Sequence, residues 1–393
     1  MNLPAKRGIL IVLDGVGIGP LPDSGQYGDA AAATLPHVAS QQGGLSLPNL
    51  QRLGLGRLAA IAGLDPQAPV SGGYGRMAQC SPGKDSITGH WELAGLVLTE
   101  PFQTFAEGFP PELVAEFGEI AGVQPLGNVS ANGISILKTF GPEHLRTGRP
   151  ILYTSVDSVF QIAAHEEIIP LPQLYDLCEK ARRLVDPYRI GRVIARPFTG
   201  NLEEGFRRSV HRKDFAMPPA GTTLLDLLAE ANIPVVGVGK VEDLFAGRGL
   251  SHSQRTHDNE DGMASILQLW KEMENGLLLA NLIDFDMVYG HRNDVDGSAR
   301  AIEAFDAWLP QLFAQMHPGD LLLISADHGC DPTTAGSDHT REYVPILAFA
   351  PEMGEAVDLG TRSTFADAGA SLAEFFGLDS LTTGCSFLSV LDL

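Results

Sequence analysis

The sequence predicts an α/β protein with a mainly parallel sheet flanked by helices and a smaller α/β domain inserted into it. Three observations carry that expectation. Residues 8–13, 278–283 and 321–324 are continuous apolar runs, the signature of strands buried on both faces. Residues 298–316 form a long amphipathic pattern joining the second run to the third, in the strand–helix–strand rhythm of parallel pairing. From about Pro101 the character of the chain changes, and it changes back before the second run.

In chain order, the first run ends in Asp14 and is followed by Gly15, Gly17 and Gly19. Residues 20–33, rich in Gly, Asp and Ala, read as a loop over the end of that strand, and 47–58 mixes Pro and Leu at helical spacing. A turn at 83–85 precedes a helix from Ile87. Residues 110–122 and 172–185 read as amphipathic helices, each opened by Pro. Residues 151–162 and 190–198 read as strands. Beyond them come a capped helix at 222–231, a short strand at 233–239 reaching Lys240, and a helix at 262–274. A strand at 344–350 and a helix at 364–376 close the pattern. The three long apolar runs must share one sheet, whereas the segment between the first and second need not. The expected division is therefore a core of residues 1–100 and 218–393 with a cap domain, 101–217, inserted in it.

The chain has 393 residues, 44% hydrophobic and 19% charged, enough for a full core and more than one domain. A net charge of −21 argues against nucleic acid or an anionic membrane as partner, since phosphate backbones attract basic surfaces. It leaves a small phosphate substrate open, which needs only a local group of Arg or Lys. The N-terminal apolar run is too short for a signal peptide and no stretch approaches a membrane span, so a cytoplasmic protein is expected. Cys80, Cys178, Cys330 and Cys385 lack CxxC spacing, which predicts free thiols in a reducing compartment.

The chemistry is concentrated at the strand ends. Asp14 follows the first run, Asp286 and His291 the second, and Asp327, His328 and His339 the third. Asp327 and His328 would point to opposite faces of a continuing strand, but Gly329 lets the chain turn there so that both converge. Carboxylate and imidazole together suit Zn²⁺, Mn²⁺ or Fe²⁺ better than Ca²⁺. Six donors are too many for one tetrahedral ion and suit two ions with open positions. Cys330 stands nearby, but its spacing gives no reason to make it a ligand. Ser86, at a helix start, reads in two ways. A hydroxyl beside two cations and a helix N-terminus is suited to attack phosphorus, whereas a Ser in that place commonly caps the helix; Thr88 is the rival nucleophile. Arg192, Arg196, Arg207, Arg208, Arg212 and Lys213 form a basic group in an acidic chain, suited to phosphate or else a solvated face. Asp157 and His165 read as contacts to sugar hydroxyls or as partners for buried backbone.

Seven stretches carry a resemblance: VLDGVGIG at 12–19, GKDSITGHWELAG at 83–95, YTSVDSVFQIAAHEE at 153–167, GRVIARPF at 191–198, DFDMVYGHR at 284–292, ADHGCDP at 326–332 and DHTREYVP at 338–345. Together they resemble the bacterial phosphopentomutases, within the alkaline phosphatase superfamily, over nearly the whole chain. The resemblance implies an alkaline-phosphatase-like core with an inserted cap, and two Mn²⁺ ions, with Mg²⁺, Co²⁺ or Zn²⁺ as alternatives. It implies that one ion sits on Asp14, Asp327 and His328 and the other on Asp286, His291 and His339. The family's phosphorylated Thr, in GKDT, matches Ser86 here; losing a methyl while keeping the hydroxyl predicts a change of rate rather than of chemistry. Substrate contacts would fall on Asp157, Arg192, Arg208 and Lys240. The implied reaction interconverts ribose 1-phosphate and ribose 5-phosphate, and the 2-deoxy pair, after priming by a sugar 1,6- or 1,5-bisphosphate. Pentose phosphates are the expected partners and a monomer the expected state. The alternatives are a phosphatase or phosphodiesterase, another phosphosugar mutase of the superfamily, or a metal-binding protein without catalysis.

Overall fold

A computed structural model describes residues 5–155, 158–379 and 381–391. The chain forms two compact units, Met1–Glu100 with Gly221–Leu393, and Pro101–Ala220. Among the described residues, β1 (Arg7–Leu13) and β2 (Gly72–Met77) precede the second unit. Within it run β3 (Leu126–Ser130), β4 (Ile151–Thr154), β5 (Val159–His165), β6 (Arg192–Asn201), β7 (Gly205–Arg208) and β8 (Lys213–Ala216). After it come β9 (Val235–Val238), β10 (His252–Gln254), β11 (Gly276–Leu282), β12 (Asp320–Ser325), β13 (Val344–Phe349) and β14 (Ala356–Arg362).

The first unit is built on one sheet in the order β10-β9-β11-β1-β12-β13-β2-β14. β1 lies at its centre, parallel to β11 on one side and β12 on the other. All three are apolar on both faces and buried, as helix-covered parallel strands must be. β13 runs antiparallel to both β12 and β2, and the remaining pairs are parallel. The helix Val295–Phe313 returns the chain from β11 to β12. No helix among the described residues is long and apolar enough to cross a membrane.

The second unit has its own sheet, β3-β4-β5-β6-β7, with β8 also on β6. Its core packs Phe109, Leu113 and Phe117 against Phe160, Leu174 and Cys178, with the Phe117 ring edge-on to Phe160 at 5.2 Å.

Two differences from the sequence-based elements have physical causes. The run 151–162 is not one strand: β4 and β5 pair antiparallel, Ile151 opposite Ala163, because Ser155 and Ser158 are turn formers between apolar halves. β2 was not anticipated, since GGYGRM is poor in strand formers. Its glycines answer to close packing instead, for a Cβ at Gly72 would stand 2.7 Å from the Ala348 carbonyl oxygen and one at Gly75 2.7 Å from that of Gly360.

One buried carboxylate ties the helix Ser86–Leu93 to its surroundings. Glu92 accepts from the backbone of Cys80, Ser81 and Phe365 and from the Thr364 hydroxyl, at 2.7, 2.7, 3.0 and 2.7 Å. Glu92→Ala would strand those donors in the interior, and a loss of about 3 kcal/mol or more is expected in denaturant unfolding.

Candidate metal centre

Because β11, β1 and β12 are neighbours, Asp14, Asp286 and Asp327 leave the sheet at the same edge, where open α/β sheets hold ligands. At Gly15, φ is +78° and a Cβ would lie 2.9 Å from that of Cys330. Its N–H donates to Asp327 Oδ1 at 3.1 Å. After β11 the chain makes a π-helical turn, Phe285–Tyr289, and then a 3₁₀ turn, Gly290–Arg292. A spacing of five would put Asp286 and His291 on different faces of an α-helix; the wider turn brings them together. His291 Nε2 lies 3.2 Å from Asp286 Oδ2, and His339 Nε2 lies 3.3 Å from Asp286 Oδ1. His328 Nε2 stands 3.4 Å from Asp14 Oδ1 and 3.3 Å from Asp327 Oδ2. The His328 and His339 rings stack at 4.0 Å. All six predicted donors thus fall in one cluster, fully buried at Asp14 and Asp327 and exposed at His291.

The arrangement fits cations. Asp14 Oδ1, Asp286 Oδ1, Asp327 Oδ2 and His339 Nε2 are buried without a hydrogen-bond partner, a state that polar atoms avoid unless something else satisfies them. His291 Nδ1 donates to the Ser337 carbonyl at 2.6 Å and His328 Nδ1 to the Gly329 carbonyl at 3.0 Å, which leaves each Nε2 for a metal. Among the described residues, three sets have donors within 4.8 Å of one another: Asp14, Asp327, His328; Asp286, His328, His339; and Asp286, His291, Cys330. Residue spacing gave no sign of the Cys330 thiol, which burial and the Asp286 carboxylate keep protonated. Burial would raise the Asp14 carboxyl, but Lys240 and His328 bring it to about 2. Burial opposes protonation of His328, and Asp327 and Asp14 nevertheless raise it to about 10. Asp286 likewise stays well below its ordinary value, with His291 and His339 outweighing burial. The carboxylates of the centre hold positive charge close to them.

Ser86 is the first residue of its helix and its Oγ lies 3.1 Å from His328 Nε2. The cap is Asp85, whose Oδ1 accepts from the Thr88 N–H at 3.0 Å and whose Oδ2 accepts from the Thr88 hydroxyl at 2.6 Å. Thr88 is buried and its hydroxyl engaged, while Ser86 is half-buried at the cluster. Gly89 permits this approach: a Cβ there would run into the Asp327 carbonyl oxygen.

Several residues not singled out in the sequence hold this geometry. Arg341, two residues past His339, donates to the carbonyls of Ser81 and Gly83, both at 2.7 Å, and to Asp23, fixing the loop ahead of Ser86. Glu342 accepts from the N–H groups of Gly19 and Thr34 and from the Thr34 and Thr340 hydroxyls. A Cβ at Gly17 or Gly329 would collide with Glu342, which accounts for both glycines. Nothing but the charge of Arg341 and Glu342 hinted at these roles. Residues 20–33 contribute Asp29, 3.1 Å from Lys84 Nζ, and Tyr27, whose hydroxyl accepts from the Gly83 N–H.

Lys240 Nζ is 3.8 Å from Asp14 Oδ2. Arg192 and Arg208 belong to the second unit, where Arg192 Nη1 lies 3.7 Å from Asp214 Oδ2 and exposed Arg208 packs over Gly133. Asp157 lies outside the described residues. His165 serves the backbone, with its Nε2 2.9 Å from the Gly200 carbonyl oxygen.

Residues 6–380 match the model of the metalloenzyme superfamily. A phosphopentomutase of Syntrophotalea carbinolica is 55% identical over 98% of this chain and 97% of its own. One from Desulfitobacterium hafniense is 51% identical over 98% of this chain and all of its own. A solved protein from Pyrococcus horikoshii, 14% identical, shares the fold over 96% of this chain and 98% of its own, with a TM-score of 0.50.

Divalent cation added to metal-stripped protein should raise the melting temperature, since a ligand at 100 times its Kd stabilises by about 2.7 kcal/mol. The rise should shrink in His339→Ala. Scanning calorimetry with and without Mn²⁺ reads both, and equal melting temperatures throughout would contradict cation binding at this cluster.

Proposed function

The chain belongs to the metalloenzyme superfamily and, within it, to the phosphopentomutases, and from that premise we propose that it interconverts the 1- and 5-phosphates of ribose and of 2-deoxyribose through a phosphorylated Ser86. The observation carrying this reading is the Ser86 hydroxyl, beside His328 at a helix head, with Asp85 doing the capping and holding the Thr88 hydroxyl. A helix N-terminus favours the charge that phosphorylation adds.

Two divalent cations, Mn²⁺ in the resemblance, would be held by Asp14, Asp327, His328 and by Asp286, His291, His339, and would neutralise the phosphoryl oxygens during in-line transfer. Phospho-Ser86 gives its phosphoryl group to the free hydroxyl of a pentose monophosphate. The new O–P bond forms as the Oγ–P bond breaks, and a pentose 1,5-bisphosphate results. That compound returns its other phosphoryl group to Ser86, and the proton lost by the first hydroxyl is matched by the one gained at the oxygen now freed. Lys240 counters charge next to Asp14, while Arg192 and Arg208 bind substrate phosphate through forked donors and Asp157 takes a sugar hydroxyl. Residues 101–217 serve as the substrate-binding cap domain, and water must be excluded from the phosphoserine for transfer to outrun hydrolysis. Unphosphorylated protein is primed by a sugar 1,6- or 1,5-bisphosphate.

Metal-loaded protein given ribose 5-phosphate and a priming bisphosphate should form ribose 1-phosphate with little free phosphate; steady phosphate release would point to a phosphatase. Ser86→Ala should lower mutase turnover by 10³-fold or more with metal content unchanged. Ser86→Thr should retain turnover. Thr88→Val should keep transfer and lose about 1 kcal/mol of stability with its cap contact. Full activity in Ser86→Ala would remove Ser86 from the scheme.

A further inference from the structure

Behind the cluster, on the side away from solvent, lies a chain of polar groups that the proposed reaction does not use. His90 is 1% exposed and stands one turn after Ser86 on the same helix. Its Nδ1 is 2.8 Å from the Ser86 carbonyl oxygen and 3.1 Å from Asp327 Oδ2. Its Nε2 is 3.2 Å from Asn281 Nδ2, and that same Nδ2 is 3.1 Å from Asp14 Oδ2. Asn281 is also buried, the penultimate residue of β11.

Donor and acceptor roles follow from the ends of the chain. Asp14 accepts only, so Asn281 must turn its NH₂ toward it. The second N–H of that group then points at His90 Nε2, which must be the accepting nitrogen. His90 therefore carries its proton on Nδ1 and donates it to the Ser86 carbonyl, while Asp327 Oδ2 stands 3.1 Å from the same nitrogen without a hydrogen bond to it. One imidazole and one amide thus connect both carboxylates of one proposed ligand set to the backbone of the proposed phosphate carrier.

We propose that His90, braced by Asn281, is a positioning residue that holds Ser86, Asp14 and Asp327 in a single register. For Ser86 this rests on the phosphoryl-transfer reading above; for the two carboxylates it rests on cation binding alone. Hydrogen-bonding partners behind metal ligands typically contribute 10–100-fold to affinity or activity.

The test uses full-length His90→Leu, His90→Asn, Asn281→Leu and the Leu/Leu double variant, with Mn²⁺ affinity by titration calorimetry alongside kcat and KM for ribose 5-phosphate. His90→Leu should weaken Mn²⁺ binding and lower kcat, each by about 10–100-fold, with KM within about twofold. His90→Asn, whose amide N–H takes the place of Nδ1–H, should recover much of both losses. The double variant should be little worse than His90→Leu, because the two residues act as one unit. Wild-type affinity and kcat in folded His90→Leu, no recovery in His90→Asn, or fully additive losses would each overturn the proposal. Should His90→Leu not fold, Asn281→Leu decides alone, and unchanged Mn²⁺ affinity there overturns it. Mn²⁺ affinities that follow this order in a protein without mutase activity would sink the functional reading and leave the His90 register standing.

Discussion

Three buried carboxylates meet at the edge of one mainly parallel sheet, and much of the core is arranged around that fact. Asp14, Asp286 and Asp327 are each at most 3% exposed. Two like charges 5 Å apart repel by about 3 kcal/mol even at an effective dielectric constant of 20. The strand order β11-β1-β12 imposes this crowding, because each carboxylate lies within four residues of the end of its strand. The protein's own offsets are His328, His339 and His291, the ammonium of Lys240, the Gly15 N–H and the Asn281 amide. They still leave one oxygen on each carboxylate without a hydrogen bond. Such a set is tolerable when cations complete it, and the superfamily's character as metalloenzymes is consistent with that.

The second requirement is that long loops converge with little freedom. Here the core spends further buried charge. Glu342 gathers the loop after β1 and the start of the helix Thr34–Gln41, Arg341 gathers the loop before Ser86, and Glu92 gathers the far end of the helix that Ser86 opens. In each case nearly every donor or acceptor is matched, and satisfied buried networks of this kind rigidify a site. The cost appears as glycines. Gly17, Gly89 and Gly329 have no room for a side chain, each because a brace or a ligand backbone stands where the Cβ would go.

Legibility in the sequence varied by mechanism. Strands buried on both faces announce themselves, because apolar residues must then be continuous, and β1, β11 and β12 were plain. β2 and β14 were hidden because glycine and polar residues dominate them, and their pairing with each other and with β13 is what makes them strands. The hairpin β4–β5 read as one strand because the polar interruption at Ser155 and Ser158 is brief. In the site, Asp and His at strand ends stood out by residue type. Arg341, Glu342, His90 and Asn281 did not, since their importance lies in partners 100 or more residues away for all but a few contacts.

By itself the sequence determined which strands could sit at the centre of the sheet, which acids and imidazoles would end them, and that the central segment was foreign to that pattern. Those are properties of local periodicity and side-chain chemistry, written residue by residue. Only the tertiary structure set the two hydroxyls apart, by giving the cap to Asp85 and the Thr88 hydroxyl to that cap while Ser86 faces His328. It alone brought Cys330 within reach of the Asp286 and His291 donors and His90 up against Asp327. The reason is physical: which hydroxyl is free, which oxygen lacks a partner and which nitrogen carries a proton depend on distances across the fold, and no spacing along the chain encodes them.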